Sequence, residues 1–366
     1  MKLCVDAREF TPRGTTGIAR YLFNLVAPLT GRAGWEWILY ARHPECVPLP
    51  LHVPNVTIRA LPSWPDPLVD HLLFPQWIAK DRPDYFFSPY YKTPFRGGGQ
   101  RVITVHDIMF LRIPTTPPLK TWIIHGLVDR SIRKADLILV DSDFTGRDLV
   151  DLFPASAPKI RRLYPDLDPA WATPPDPGQV RDIQGALQSQ PYVLYVGNFR
   201  PHKNVDLLVQ AFSQWQATHP GQAYHLILAG GDPANVARIE SRIQASPAAH
   251  RIHIRRAVSE DTLRALYAGA AGFITASCYE GFGYPVIEAF ACQCPVLCHA
   301  STSVGELGAD CTIPIPELTA PGVGRALETL ASLTPEQRQA LVAKGTRRAR
   351  TFKAGTAAME FERILR

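Results

Sequence analysis

No stretch of this chain is apolar for long enough to cross a bilayer. Met1–Asp6 reads as the start of a strand and lacks the regions of a signal peptide. The expectation is a cytoplasmic protein, with any peripheral membrane contact at the inner face of the plasma membrane. Cysteine is scarce: seven residues, an odd number without framework spacing, which fits reduced thiols. Cys292, Cys294 and Cys298 lie close together, but no second ligand pair accompanies them, so they read as small core residues. A strong charge of one sign is missing too. The net charge is +6 and the arginines are scattered, which gives nucleic-acid binding little support. Contact with anionic lipids and preference for phosphorylated ligands both remain compatible with it. The dinucleotide fingerprint G-x-G-x-x-G is also absent, because Gly14 and Gly17 do not supply it.

What is present is the material of two domains. The chain has 366 residues, 46% hydrophobic and 20% charged, long for one core and sufficient for two. Its 34 prolines gather around 44–75, 112–118 and 165–177. Residues 165–185 have linker composition. Short apolar runs alternate with helical patterns on both sides of it, which predicts an α/β protein. The strand 2–7, a glycine-bearing loop and a helix from Gly17 form the opening of a nucleotide-binding unit. Residues 70–80 read as an amphipathic helix broken at Pro75. Residues 119–135 read as a long core-facing helix with a cationic end at Arg130, Arg133 and Lys134. The division is 1–175, 176–350 and a terminal helix in 351–366.

The stretch 278–296, CYEGFGYPVIEAFACQCPV, sets Glu280 and Glu288 eight residues apart around a Gly-Phe-Gly turn. The run GFITA before it reads as a buried strand. Pro285 suits the first turn of a helix, where a missing N–H costs nothing. Glu280 is thus expected on the loop leaving a strand, and Glu288 about one turn into the next helix. Gly281, Phe282, Gly283 and Tyr284 would then stand at that helix's positive end, which favours an anion or the oxygens of a polyol.

Three further places carry candidate chemistry. The strand 101–107 delivers His106 and Asp107 to its carboxyl end, where open α/β sheets bind ligands. Asp107 is a candidate to hold the imidazole. Arg200, His202 and Lys203 lie in the turn after the strand 192–198. Asp141-Ser142-Asp143 and Asp166-Leu167-Asp168 are D-x-D strings. Ser142 and Asp143 precede a helix, so a helix cap explains them well, and metal binding is the lesser reading.

Glu-Gly-Phe-Gly-Tyr-Pro with its second glutamate resembles the E-x7-E element of retaining, family 4 type glycosyltransferases. Those enzymes have the GT-B architecture, two Rossmann-like domains facing a cleft, and use nucleotide-sugar donors without an obligatory metal. The resemblance implies an N-terminal acceptor domain and a C-terminal donor domain, with the last helix crossing back to the first. It implies Glu288 on the ribose, Glu280 and the amides of 281–283 on the donor sugar, and Lys203 with Arg200 on the diphosphate. His106 would bond the sugar near C6. Thr16–Tyr21, with Gly17, resembles the family's N-terminal glycine loop, which faces the diphosphate and the acceptor. Two departures stand out: Asn198 replaces a frequent arginine, and Gln293 a usual glycine. No cofactor is implied beyond the nucleotide-diphosphate sugar as donor substrate. The acceptor stays open among glycans, lipid-linked glycans and proteins, and the oligomeric state is open as well. Trp64, Trp77, Tyr90 and Tyr91 lie in the half that binds acceptors, and are read first as core. Two alternatives are carried forward: a metal-dependent transferase using Asp141 and Asp143, and a non-catalytic nucleotide-sugar binding protein.

Overall fold

Parallel strands cannot be joined by tight turns, so each needs a crossover that places a helix on one face of the sheet. That rule organises the whole chain. The structure is a computed structural model and describes residues 1–12, 16–49, 53–113, 117–308 and 310–366. Gly14 of the first glycine loop lies outside the described residues. The chain divides into two compact units, Met1–Asp166 with Ala354–Arg366, and Leu167–Lys353.

The first unit holds a seven-stranded parallel sheet, ordered β3-β2-β1-β4-β5-β6-β7. Its strands are β1 (Lys2–Asp6), β2 (Glu36–Ala41), β3 (Val56–Ala60), β4 (Tyr85–Ser88), β5 (Gln100–Val105), β6 (Leu137–Val140) and β7 (Ile160–Arg162). Because helices cover both faces, central strands are apolar at every position rather than at alternate ones. In β1, Leu3 and Val5 pack into one core with Trp37, Leu39 and Phe87, while Cys4 faces another with Tyr40, Phe74 and Phe86. The second unit holds six parallel strands, ordered β10-β9-β8-β11-β12-β13. They are β8 (Tyr192–Gly197), β9 (His225–Gly230), β10 (Ile252–Arg255), β11 (Gly272–Thr275), β12 (Val296–Cys298) and β13 (Thr312–Pro314). This is the Rossmann order, with chain reversal beside the first strand of the sheet. Cys292, Cys294 and Cys298 are buried and unpaired, as small core residues are.

Three expectations need correction, and three short elements escaped prediction. Residues 165–185 are not a plain linker. Leu167 N donates to Phe352 O at 2.7 Å, Trp171 packs edge-on against Tyr267, and Pro177–Ala186 is a helix capped by Asp176. Those contacts move the domain boundary from 175 to 166, and the return crossing from 350 to 353. The segment around Pro75 is continuous: Asp66–Leu68, a π turn at Val69–Leu73 and Phe74–Asp81 follow one another. The wider turn precedes Pro75, which sits at the start of the last piece, where its absent N–H does least harm. The helix Pro118–Lys134 buries Val128 and Ile132 but leaves Leu119, Trp122, Ile123 and Leu127 exposed. It is therefore core-facing along part of its girth only. Finally, β7 and β13, three residues each, and the helix Ser303–Gly308 carry too little periodicity to have been predicted.

The C-terminal helix Thr356–Leu365 belongs to the first unit. Phe361 meets Phe87 at 5.1 Å between ring centroids, and the Tyr85 hydroxyl donates to Leu365 O at 2.5 Å. Buried Asp166, the last residue before the outward crossing, accepts from Gly355 N at 2.7 Å and Ala357 N at 2.9 Å. One carboxylate thus serves the first N–H groups of the returning helix. Asp166→Ala strands both, at a cost of about 2 kcal/mol. Hydrogen exchange should show faster exchange across 355–365 with the second unit unaffected. Unchanged protection there would mean that apolar packing alone holds the helix.

Candidate active site

In the second sheet β8 and β11 are neighbours, yet the chain leaves them toward opposite edges. Their carboxyl-end loops therefore part and leave a crevice. Three contacts draw the loops together across it. Asn204, in the left-handed conformation at φ 53° that asparagine tolerates, donates from Nδ2 to Ala276 O at 2.8 Å. Cys278 N donates to His202 O at 2.9 Å. Lys203 Nζ lies 2.5 Å from Glu280 Oε1, both side chains more than four-fifths buried. The sequence suggests separate tasks for these two residues; the fold makes them an ion pair. They line a cavity of about 10 Å³ together with Thr275, Ser277 and Gly283.

The Gly-Phe-Gly turn is held from behind. Ser303 Oγ lies 2.8 Å from Glu280 O and 2.7 Å from Phe282 O, and can donate its one proton to either. Gly283 has φ 110°, a conformation open to glycine, and opens the helix Tyr284–Ala291. The Phe282 ring is buried, edge-on to Tyr284 and Phe352. Only its backbone remains for a ligand, which narrows the expectation for that residue. Glu288, in the second turn of the helix, is buried and accepts from the Tyr267 hydroxyl at 3.2 Å. Burial and the Glu288 charge push the Tyr267 phenol well above its ordinary value, so it stays a donor. Arg200 is exposed on the loop after β8. Burial, then Lys203, lowers His202, so its ring tends to neutrality. Gln293 sits at φ 59°, so the residue that replaces the family's glycine does occupy a glycine-like turn, at about 1 kcal/mol. Ser303 and Tyr267 had no signal in the sequence, since each acts through a fold-dependent neighbour.

In the first unit, His106 follows β5 and Asp141 follows β6, and the register Val105↔Val140 sets them side by side. His106 Nδ1 lies 2.6 Å from Asp141 Oδ2, and Nε2 lies 3.1 Å from Pro89 O. Both partners are acceptors, so only the imidazolium satisfies both. Asp107 does not hold the ring; its Oδ1 accepts from Met109 N at 3.1 Å. The aspartates of the first D-x-D string have different partners, Asp141 the histidine and Asp143 Arg162. In the second string, Asp166 serves the terminal helix and Asp168 accepts from Ala170 N. Gly17 begins the helix Gly17–Val26, capped by Thr16. A Cβ there would meet nothing within 4 Å, so packing does not require the glycine. Of the aromatic residues read as core, Trp77 packs on Tyr40, Tyr90 bonds Glu9 and Tyr91 packs on Phe110. Trp64 is exposed and corrects that reading.

The His106 pair has a pH signature. Burial pulls its pKa down, but the Asp141 charge and hydrogen bond outweigh burial and raise it above its ordinary 6.5. A raised folded value means that the stability it contributes is full below the unfolded pKa. That contribution is lost as pH rises through the folded one. In Asp141→Asn both effects of that carboxylate are lost while burial, the largest effect, remains, so the His106 pKa should fall. An NMR titration of the imidazole checks this; an unmoved pKa would mean that the carboxylate is not what charges the ring.

The profile described as Glycosyltransferase Family 4 matches residues 15–171, and that described as Glycosyl transferases group 1 matches residues 179–310. The O-antigen chain mannosyltransferase B of Escherichia coli is 30% identical over 240 residues, 64% of this chain and 62% of that protein. A D-inositol 3-phosphate glycosyltransferase of Acidothermus cellulolyticus is 29% identical over 172 residues, 45% of this chain and 38% of the relative. The chain thus matches less than two thirds of the length of either. Among solved structures, sucrose-phosphate synthase of Thermosynechococcus elongatus superposes with TM-score 0.78 at 19% identity, covering 99% and 98% of the two chains. Anabaena HepE in complex with UDP-glucose gives 0.76 at 15% identity, covering 100% and 99%. With the two profiles together spanning most of its length and two Rossmann-ordered sheets in its fold, the chain belongs to the family 4 glycosyltransferases of GT-B fold.

Proposed function

We propose that this chain transfers a hexosyl unit from a nucleotide-diphosphate sugar to an acceptor hydroxyl, in glycan or polysaccharide assembly, with retention and without an obligatory metal. The observation that carries this reading is the Lys203–Glu280 pair in the crevice between β8 and β11. A diphosphate entering there competes with Glu280 for the lysine. Lys203 then turns to phosphate, Arg200 from the same loop adds a second cation, and Glu280 is freed for the sugar hydroxyls. The amides of Gly281 to Tyr284 offer N–H groups at a helix start. Glu288 serves the ribose hydroxyls. His106, in the first unit, contributes to recognition of the sugar as a charged ring. The acceptor is a hydroxyl of a glycan, of a lipid-linked glycan or of another hydroxyl-bearing molecule.

In the transfer, the bond from the anomeric carbon to the diphosphate oxygen breaks while the acceptor oxygen bonds that carbon on the same face. The acceptor proton goes to the departing phosphate oxygen, so no dedicated base is needed. Most stabilisation then falls on the developing phosphate charge. A metal-dependent reading through Asp141 and Asp143 has no observation in its favour, given their partners His106 and Arg162. The names of similar proteins support the donor class: HepE is described in complex with UDP-glucose.

Nucleoside diphosphates of one base should raise the thermal midpoint, equally with and without chelator, and less in Glu288→Ala. Lys203→Met should lower kcat by about 10²–10³ and also lower the midpoint without ligand, because Glu280 is left buried without its partner. Donor binding without transfer or donor hydrolysis over a broad acceptor panel would point to the non-catalytic reading. Stabilisation that requires added metal would count against the cation pair as the phosphate's partner.

A further inference from the structure

Large apolar side chains scattered singly over a surface need no explanation, but a cluster does. Among the described residues eight are exposed, and four of them, Leu119, Trp122, Ile123 and Leu127, belong to the helix Pro118–Lys134. Their spacing of three, one and four residues puts them on one face. The opposite face is the buried one, with Val128 and Ile132 at 0% exposure. Toward the helix's end the outward face turns cationic, with Arg130, Arg133 and Lys134 exposed. The acid beside them, Asp129, pairs with Arg133 at 2.8 Å. The last turn is fixed in place: Lys159 Nζ donates to the carbonyls of Ile132, Arg133 and Ala135 at 3.1, 2.9 and 2.8 Å. The helix is thus a firmly held element with an apolar half and a basic half on one outward face.

We infer that this face docks the protein on an anionic lipid bilayer. The argument for a bilayer is the order of the two halves. Hydrocarbon lies beneath a layer of phosphates, and an outward face with Trp122, Ile123 and Leu119 at one end and cations at the other matches both layers. Three cations against one paired acid give the charge complementarity for anionic headgroups. A cavity of about 450 Å³ adjoins the face, with Ile124 and Leu127 in one wall and Asp66, Pro67 and His71 in the other. On that second segment Leu68 and Leu72 are exposed as well, so apolar surface flanks the cavity on both sides. No helix among the described residues is long and apolar enough to cross a membrane; the contact is peripheral. It stands apart from the transferase reading and holds or fails without it.

The test is co-sedimentation of the full chain with vesicles of phosphatidylglycerol and phosphatidylcholine against vesicles of phosphatidylcholine alone. Binding should be about tenfold stronger to the anionic vesicles and should weaken at high salt. Ile123→Glu and, separately, Leu119→Glu should each abolish it with an unchanged thermal midpoint, because both side chains are exposed. Arg133→Gln should weaken binding to anionic vesicles and leave the weak binding to neutral ones as it was. Three results would overturn the inference: no binding, equal binding to both vesicle types, or binding that survives both glutamate variants. A dimer in sedimentation velocity that Ile123→Glu dissociates would likewise overturn it, showing that a second copy covers the face.

Discussion

Parallel strands with the first strand in the middle of the sheet are the constraint on which the rest of this protein depends. Crossovers must run to one edge and then to the other, so the loops leaving the central pair separate. In the second unit this brings Lys203 and Glu280, 77 residues apart in sequence, to 2.5 Å. Two unit charges 4 Å apart attract by about 4 kcal/mol at an effective dielectric near 20. Taking a carboxylate and an ammonium partly out of water costs several kcal/mol each. The attraction is thus largely consumed by desolvation. A pair of that kind adds little to stability and exchanges partners readily when a more highly charged anion arrives, which suits a diphosphate site.

Supporting contacts show how such a crevice is kept open to ligand yet fixed in shape. The hydroxyl of Ser303 holds the glycine turn through carbonyl oxygens, leaving the turn's N–H groups outside that contact. Asn204 and His202 tie the two loops through backbone groups. Glu288 and Tyr267 form a hydrogen-bonded pair behind the helix start. Glu288 apart, side chains without charge do the positioning, and Lys203 and Glu280 are left for exchange.

The first unit uses the same geometry differently. The ends of β5 and β6 place His106 against Asp141, and a carbonyl on the far nitrogen makes the charged ring the satisfied state. The cost of burying a cation is met there by an adjacent carboxylate, whereas on the helix Pro118–Lys134 the cations stay in water. Charged groups are thus sorted by burial into an inward pair and a surface patch.

How much of this was legible in the chain follows from the range of each interaction. The α/β class, the glutamate pair about a glycine turn, the Ser142 cap and the loops after β5 and β8 that bear His106 and Lys203 are local patterns. They depend on periodicity, φ preference and missing donors within about ten residues, so the amino-acid order determines them. The unit boundary at 166, Asp141 as the holder of His106, the burial of the Phe282 ring and the outward turn of Trp122 were decided only by tertiary structure. Each depends on which strand lies beside which and which helix face meets the sheet, and those are properties of residues distant in sequence. Composition showed a helix with apolar and basic residues at 119–135; only packing could decide that its apolar stripe is wider than the core it covers.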